Sequence, residues 1–244
     1  MSVLLLSTIG GLISALSTSL GSLLAPLFTR FENLRRYHMS MDFALGVMLS
    51  AVAFSLVGPE LVRGKDLFLV LSGIMTGGTF IIVTHKMIEW FNGKVQRPSS
   101  NLLLISALVF HNLPEGMGAG ASLAGMTLHD AIPLQVALSL QNIVEGLLLT
   151  LLLQGLGLRL IFSVAGGVAS GILEMSGAIV SGLFLQETNM LLPFFLSLAG
   201  GAMMTSVGLE IYESSLKGKP FKITHFVSGL FVIPLSNFLF QLTP

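Results

Sequence analysis

An all-α polytopic membrane protein is the fold class this sequence predicts, and three observations predict it. Of its 244 residues, 53% are hydrophobic and only 10% are charged, against about 25% charged in ordinary soluble domains. Mean hydropathy is +0.87. Apolar runs of about 20 residues, the length a spanning helix needs, recur between short charged or turn-like clusters.

Taken in order, the runs give eight transmembrane helices, over Val3–Ala25, Phe43–Val62, Leu67–Trp90, Leu102–Leu123, Ala131–Leu153, Leu160–Phe184, Leu191–Tyr212 and Ile223–Leu242. The first run has no basic stretch before it, since Arg30 is the first charged side chain, so a cleaved signal peptide is not expected. Gly64-Lys65-Asp66, Met126-Thr127-Leu128-His129-Asp130 and Leu185-Gln186-Glu187-Thr188-Asn189 are very short linkers. The helices are therefore neighbours in one bundle, a single transmembrane domain over residues 1–244 with no soluble domain. Glycines in the first, third, sixth and seventh runs, such as Gly11, Gly77, Gly177 and Gly201, permit close helix approach in lipid.

The loops after helices one, three, five and seven, with their flanks, hold Arg30, Arg35, Arg36, Lys86, Lys94, Arg97, Arg159, Lys217, Lys219 and Lys222, ten of the twelve basic residues. The opposite loops hold Arg63 and Lys65. By the positive-inside bias the first set is cytoplasmic, and both termini lie outside the cytoplasm. The 12 basic and 12 acidic residues cancel, which leaves no electrostatic footprint for a nucleic acid. There is no cysteine, so disulfides, thiolate ligands and cysteine nucleophiles are excluded.

Two near copies of one motif stand out inside the apolar runs: His111-Asn112-Leu113-Pro114-Glu115-Gly116 in helix four and Gln141-Asn142-Ile143-Val144-Glu145-Gly146 in helix five. Positions i, i+1 and i+4 lie within about 100° of helical arc, so each segment presents its two nitrogen- or oxygen-bearing groups and its glutamate toward one point. Pro114 cannot donate to the Phe110 carbonyl and crowds it, so the first segment should bend there. Gly116 and Gly146 follow the glutamates and should loosen the helix beside them.

Intramembrane carboxylates are costly and are read as functional by default. Glu174 lies about midway along helix six, at the depth expected of Glu115 and Glu145, and Glu210 lies nearer the cytoplasmic end of helix seven. No basic residue is predicted at that depth, which leaves a bound cation or a proton as the partner. For each acid the alternative is a protonated carboxyl hydrogen-bonded to a neighbouring helix. Oxygen and imidazole donors in a low dielectric suit a hard or borderline divalent ion, whose charge offsets the carboxylates. His85, His38 and His225 read as interfacial or helix-end groups, His129-Asp130 as a solvated external turn, and Met48 as packing.

At these residues the chain resembles the ZIP (Zrt/Irt-like) family of divalent metal transporters, in its smaller bacterial branch. The two motifs and Glu174 carry the resemblance. Gly46-Val47-Met48-Leu49-Ser50-Ala51 and Glu210-Ile211-Tyr212-Glu213-Ser214 are similar to the family pattern as well.

The resemblance implies eight helices arranged 3+2+3 with inverted repeats, commonly as a homodimer in the cell membrane. It also implies a mid-membrane binuclear centre. One site would use Met48, His111, Glu115, Gln141 and Glu145, and a second Asn112, Glu115, Asn142, Glu145 and Glu174. Metal would travel into the cytoplasm by an elevator-like movement of one helix group, with Glu210 and Glu213 on the exit. The cargo would be Zn²⁺ first, then Fe²⁺, Mn²⁺ or Cd²⁺, one or two ions at a time, with no other cofactor.

Two departures matter. Gln141 and Asn142 stand where many members have His or Asp, and neutral amides bind divalent ions more weakly, which puts the second site in doubt. The loop after helix three lacks the family's histidine-rich stretch. Two other functions are weighed beside transport. An intramembrane metal-dependent hydrolase would need an open zinc position and usually a His-Glu-x-x-His pair, which the sequence lacks. A structural or sensory bundle around a fixed metal would unfold when Glu115 is lost.

Overall fold

The computed structural model describes residues 2–30, 41–62, 64, 66–92, 105, 109–216, 218 and 220–242. Secondary structure among the described residues is helical, in eight rods. These are α1 (Val3–Arg30), α2 (Met41–Ala51 continued by Val52–Leu56 and Val57–Val62), α3 (Leu67–Asn92) and α4 (Asn112–Gly125). They continue with α5 (Leu128–Gly155), α6 (Leu160–Leu185), α7 (Leu192–Leu216) and α8 (Ile223–Leu230 and Val232–Leu242). The start of the predicted fourth span at Leu102, His38, residues 93–98 of the third loop, and the loop cations Arg35, Arg36, Arg63, Lys65, Lys94, Arg97, Lys217 and Lys219 lie outside the described residues.

Six rods, α1, α2, α3, α5, α6 and α7 with its leading turn, are long and apolar enough to cross a membrane. The chain is thus a multi-pass membrane protein. Among the described residues α4 covers 14 residues, and α8 is a shorter apolar helix in two pieces.

Proline explains the interruptions, because it removes a donor and crowds the carbonyl four residues back. In α2, Pro59 follows a π-turn over Val52–Leu56, where the Val57 N–H reaches the Val52 carbonyl. In α8, Pro234 cannot donate to Leu230, and the Leu230 carbonyl instead accepts from Ser50 Oγ of α2 at 2.7 Å. Helix α8 therefore runs as two segments meeting at Phe231 within the stretch read from the sequence as 223–242.

In α4 the helical ladder restarts at Asn112 after a turn at His111, which puts Pro114 in the first turn, where an N–H has no intrahelical partner in any case. Helix α5 begins three residues before its predicted start because Thr127 caps it, accepting the Asp130 N–H at 3.3 Å.

The rods associate as two groups. α1 packs mainly on α6, α5 and α4, and α4 on α6. α3 lies along α7, and α2 along the first half of α8. The groups meet chiefly where α4 crosses α7.

Both are drawn together by glycine. A Cβ on Gly116 would run into the Glu174 carbonyl, one on Gly177 into that of Leu113, and one on Gly146 into that of Thr18. Gly77 meets Leu198 in the same way, and Gly46 meets Phe226. Gly116 and Gly146 do not loosen their helices, which run unbroken through both positions. They are the points where a neighbouring backbone comes closest.

Candidate metal centre

The two repeated motifs do face one another. α4 contributes His111, Asn112 and Glu115, α5 contributes Gln141, Asn142 and Glu145, and all six are buried. His111 Nε2 stands 2.9 Å from Glu145 Oε2 and 3.9 Å from Glu115 Oε2. One ligand atom from each of His111, Glu115 and Glu145 falls within 4.8 Å of the others. Donors around a tetrahedral zinc stand about 3.4 Å apart, given bonds of about 2.0–2.2 Å, so small side-chain shifts suffice to close this triangle on an ion.

Between the carboxylates sits Gln141, whose Nε2 donates to Glu115 Oε1 at 3.1 Å and to Glu145 Oε1 at 3.0 Å. Buried polar groups are ordinarily paired. Among the described residues, the buried oxygens Glu115 Oε2, Asn112 Oδ1, Gln141 Oε1 and Asn142 Oδ1 find no hydrogen-bond partner. Acceptors in surplus of donors are the electrostatic signature of a cation site.

Glu174 is placed differently. Its Oε1 accepts from the Thr18 hydroxyl of α1, and its Oε2 accepts from Asn142 Nδ2 at 3.1 Å. Asn142 Nδ2 also donates to Ser14 Oγ at 2.6 Å. Glu174 is fully buried yet stands outside the His111–Glu115–Glu145 triangle.

Ser14 and Thr18 are functional neighbours that sequence reasoning missed, because hydroxyls in an apolar helix usually bond their own carbonyl one turn back, as Ser17 and Ser19 do. The available signal was spacing: Ser7, Ser14, Thr18 and Ser22 repeat every four or seven residues and are all buried on one face of α1.

A cavity runs from the triangle toward the ends of α3 and α7. Met48 lines it together with His111 and Glu145, then Met41, Leu45 and Ser206, and at its far end His85, Glu210 and Glu213. His85 Nε2 lies 3.3 Å from Glu213 Oε1 and 3.5 Å from Glu89 Oε1. His85 therefore belongs to the cavity wall, where the sequence reading had an interfacial residue. His129 is 97% exposed, 3.8 Å from Asp130, and is remote in character from the centre.

On the opposite side the next helical turns, Ala119 after Glu115 and Leu138 before Gln141, join Val52, Leu56, Leu134, Phe195, Leu196 and Ala199 in one apolar cluster. Among the described residues, the centre thus borders a cavity on one side and an apolar cluster on the other.

Two curated proteins show what this sequence is similar to. A zinc transporter of Myxococcus xanthus, GufA, is 31% identical over 229 residues, which cover 86% of this chain and 88% of the relative. A zinc transporter of Bordetella bronchiseptica, ZIPB, is 31% identical over 223 residues, covering 84% of this chain and 71% of the relative. No protein-family model matches the chain.

Proposed function

The chain belongs to the ZIP (Zrt/Irt-like) family of metal transporters, and on that premise we propose that it carries Zn²⁺ into the cytoplasm through the centre between α4 and α5. The observation that carries the reading is the buried triangle of His111, Glu115 and Glu145, two of whose members, His111 and Glu145, line a cavity.

The ligand set is His111 with the carboxylates of Glu115 and Glu145, helped by Met48 and the amide oxygens of Gln141, Asn112 and Asn142. They replace the water shell of the ion. Imidazole and carboxylate fit zinc first, with Fe²⁺, Mn²⁺ and Cd²⁺ as further cargo. Glu174, tied to α1, serves a second site weakly, so one ion rather than two is the working load.

The protein is read as one transmembrane domain of eight spans in the 3+2+3 order, both termini outside the cytoplasm, in the cell membrane and paired as a homodimer. The cavity end then faces the cytoplasm, and Glu210 and Glu213 line the exit. Every proposed ligand except Met48 stands on the group formed by α1, α4, α5 and α6. An elevator movement of that group against α2, α3, α7 and α8 would carry the ion with it and leave Met48 behind.

Uptake of labelled zinc into proteoliposomes, with Fe²⁺, Mn²⁺ and Cd²⁺ as competitors, tests the reading. Wild type should take up zinc and Glu145→Gln should not, with its fold kept. Uptake at the wild-type rate in Glu145→Gln would sink it.

A further inference from the structure

The hydrogen bonds at the centre show which end of the Gln141 amide is in use. A primary amide has two N–H bonds, and here one goes to Glu115 Oε1 at 3.1 Å and the other to Glu145 Oε1 at 3.0 Å. The amide oxygen, buried on the same side chain, has no partner. Asn142 repeats the pattern: its nitrogen serves Glu174 at 3.1 Å and Ser14 at 2.6 Å, while its oxygen is unpartnered. A metal would need the other end of both amides, since oxygen is the ligand and N–H is repelled by a cation.

We propose that Gln141 is a stand-in for the cation. With an ion present its Oε1 turns to the metal; with the ion gone the amide rotates and its two N–H bonds take the places on Glu115 and Glu145 that the ion has left. This deepens the transport reading above and rests on it.

A carrier crosses twice per cycle, once loaded and once empty. The empty crossing is where buried carboxylates without a counter-charge are most costly. Hydrogen bonds to charged acceptors are the strong ones, and one side chain supplies them to both acids at once. A carboxylate at position 141 would offer an ion more, but would donate nothing and add charge to the empty state. The unpartnered Oε1 is the cost of the arrangement in the empty state and the ligand in the loaded one.

Two rates from the same proteoliposomes test this. Net uptake of labelled zinc into zinc-free vesicles requires the empty return, whereas exchange against internal zinc is carried by the loaded form in both directions. In Gln141→Glu, which removes both donors and keeps an oxygen at the same reach, the ratio of net uptake to exchange should fall by about tenfold or more. In Gln141→His, which keeps one N–H, it should fall by less. An unchanged ratio, or equal loss of both rates in both variants, overturns the proposal. Absence of both net uptake and exchange in wild type would instead defeat the transport reading beneath it.

Discussion

A pair of buried carboxylates and a single one in the same helix group are finished in opposite ways. Glu115 and Glu145 share an imidazole and one amide, and Glu145 borders a cavity. Glu174 has the Thr18 hydroxyl of a closely packed helix on one oxygen and the Asn142 amide on the other. Burial is nearly the same for all three carboxylates, so burial is not what would separate a site for cargo from a structural clasp. The separation lies in who donates. On the proposed reading, the Thr18 donor, held where a neighbouring helix comes closest, stays in place, and donors beside a cavity are exchanged for an ion.

That contrast can be broken most sharply at His111. His111→Ala removes a ligand from the open cluster, and zinc uptake should fall roughly 10- to 100-fold or more. A comparable loss in Glu174→Gln would erase the distinction. The amide should keep much of that carboxylate's hydrogen bonding, and uptake should fall by roughly threefold to tenfold.

The clasp should show itself in stability. Thr18→Val strips a donor from a buried carboxylate, at a cost of about 1–3 kcal/mol, and Thr18→Ser should restore most of it. The same pair of variants should shift uptake less than they shift the unfolding midpoint.

Met48→Ala removes the thioether contributed by the other helix group. A roughly twofold to fivefold rise in KM with kcat little changed is expected, because a thioether is a soft, weak donor beside imidazole and carboxylate.

Much of this was legible in the sequence. Six of the apolar runs coincide with rods long enough to cross a membrane, and the i, i+1, i+4 spacing places His111, Glu115, Gln141 and Glu145 together. Pro114 marked the turn at His111.

What was not legible came from partners that no local pattern names. Ser14 and Thr18 look like ordinary intramembrane hydroxyls until α1 is laid against α5 and α6. His85 reads as a helix-end group until α7 brings Glu213 within 3.3 Å. The break in α8 depends on Pro234, but its tolerance depends on Ser50 in another helix accepting the task of satisfying the Leu230 carbonyl. Gly116 and Gly146 looked like softeners because the carbonyls of Glu174 and Thr18 that press on them lie far away in sequence.

Zinc K-edge absorption on the loaded protein tests the centre most directly. The expected first shell is one imidazole nitrogen with oxygen donors at about 2.0–2.2 Å, and the imidazole contribution should vanish in His111→Ala. A first shell that is unchanged in that variant would put the ion elsewhere in the bundle and contradict the site between α4 and α5.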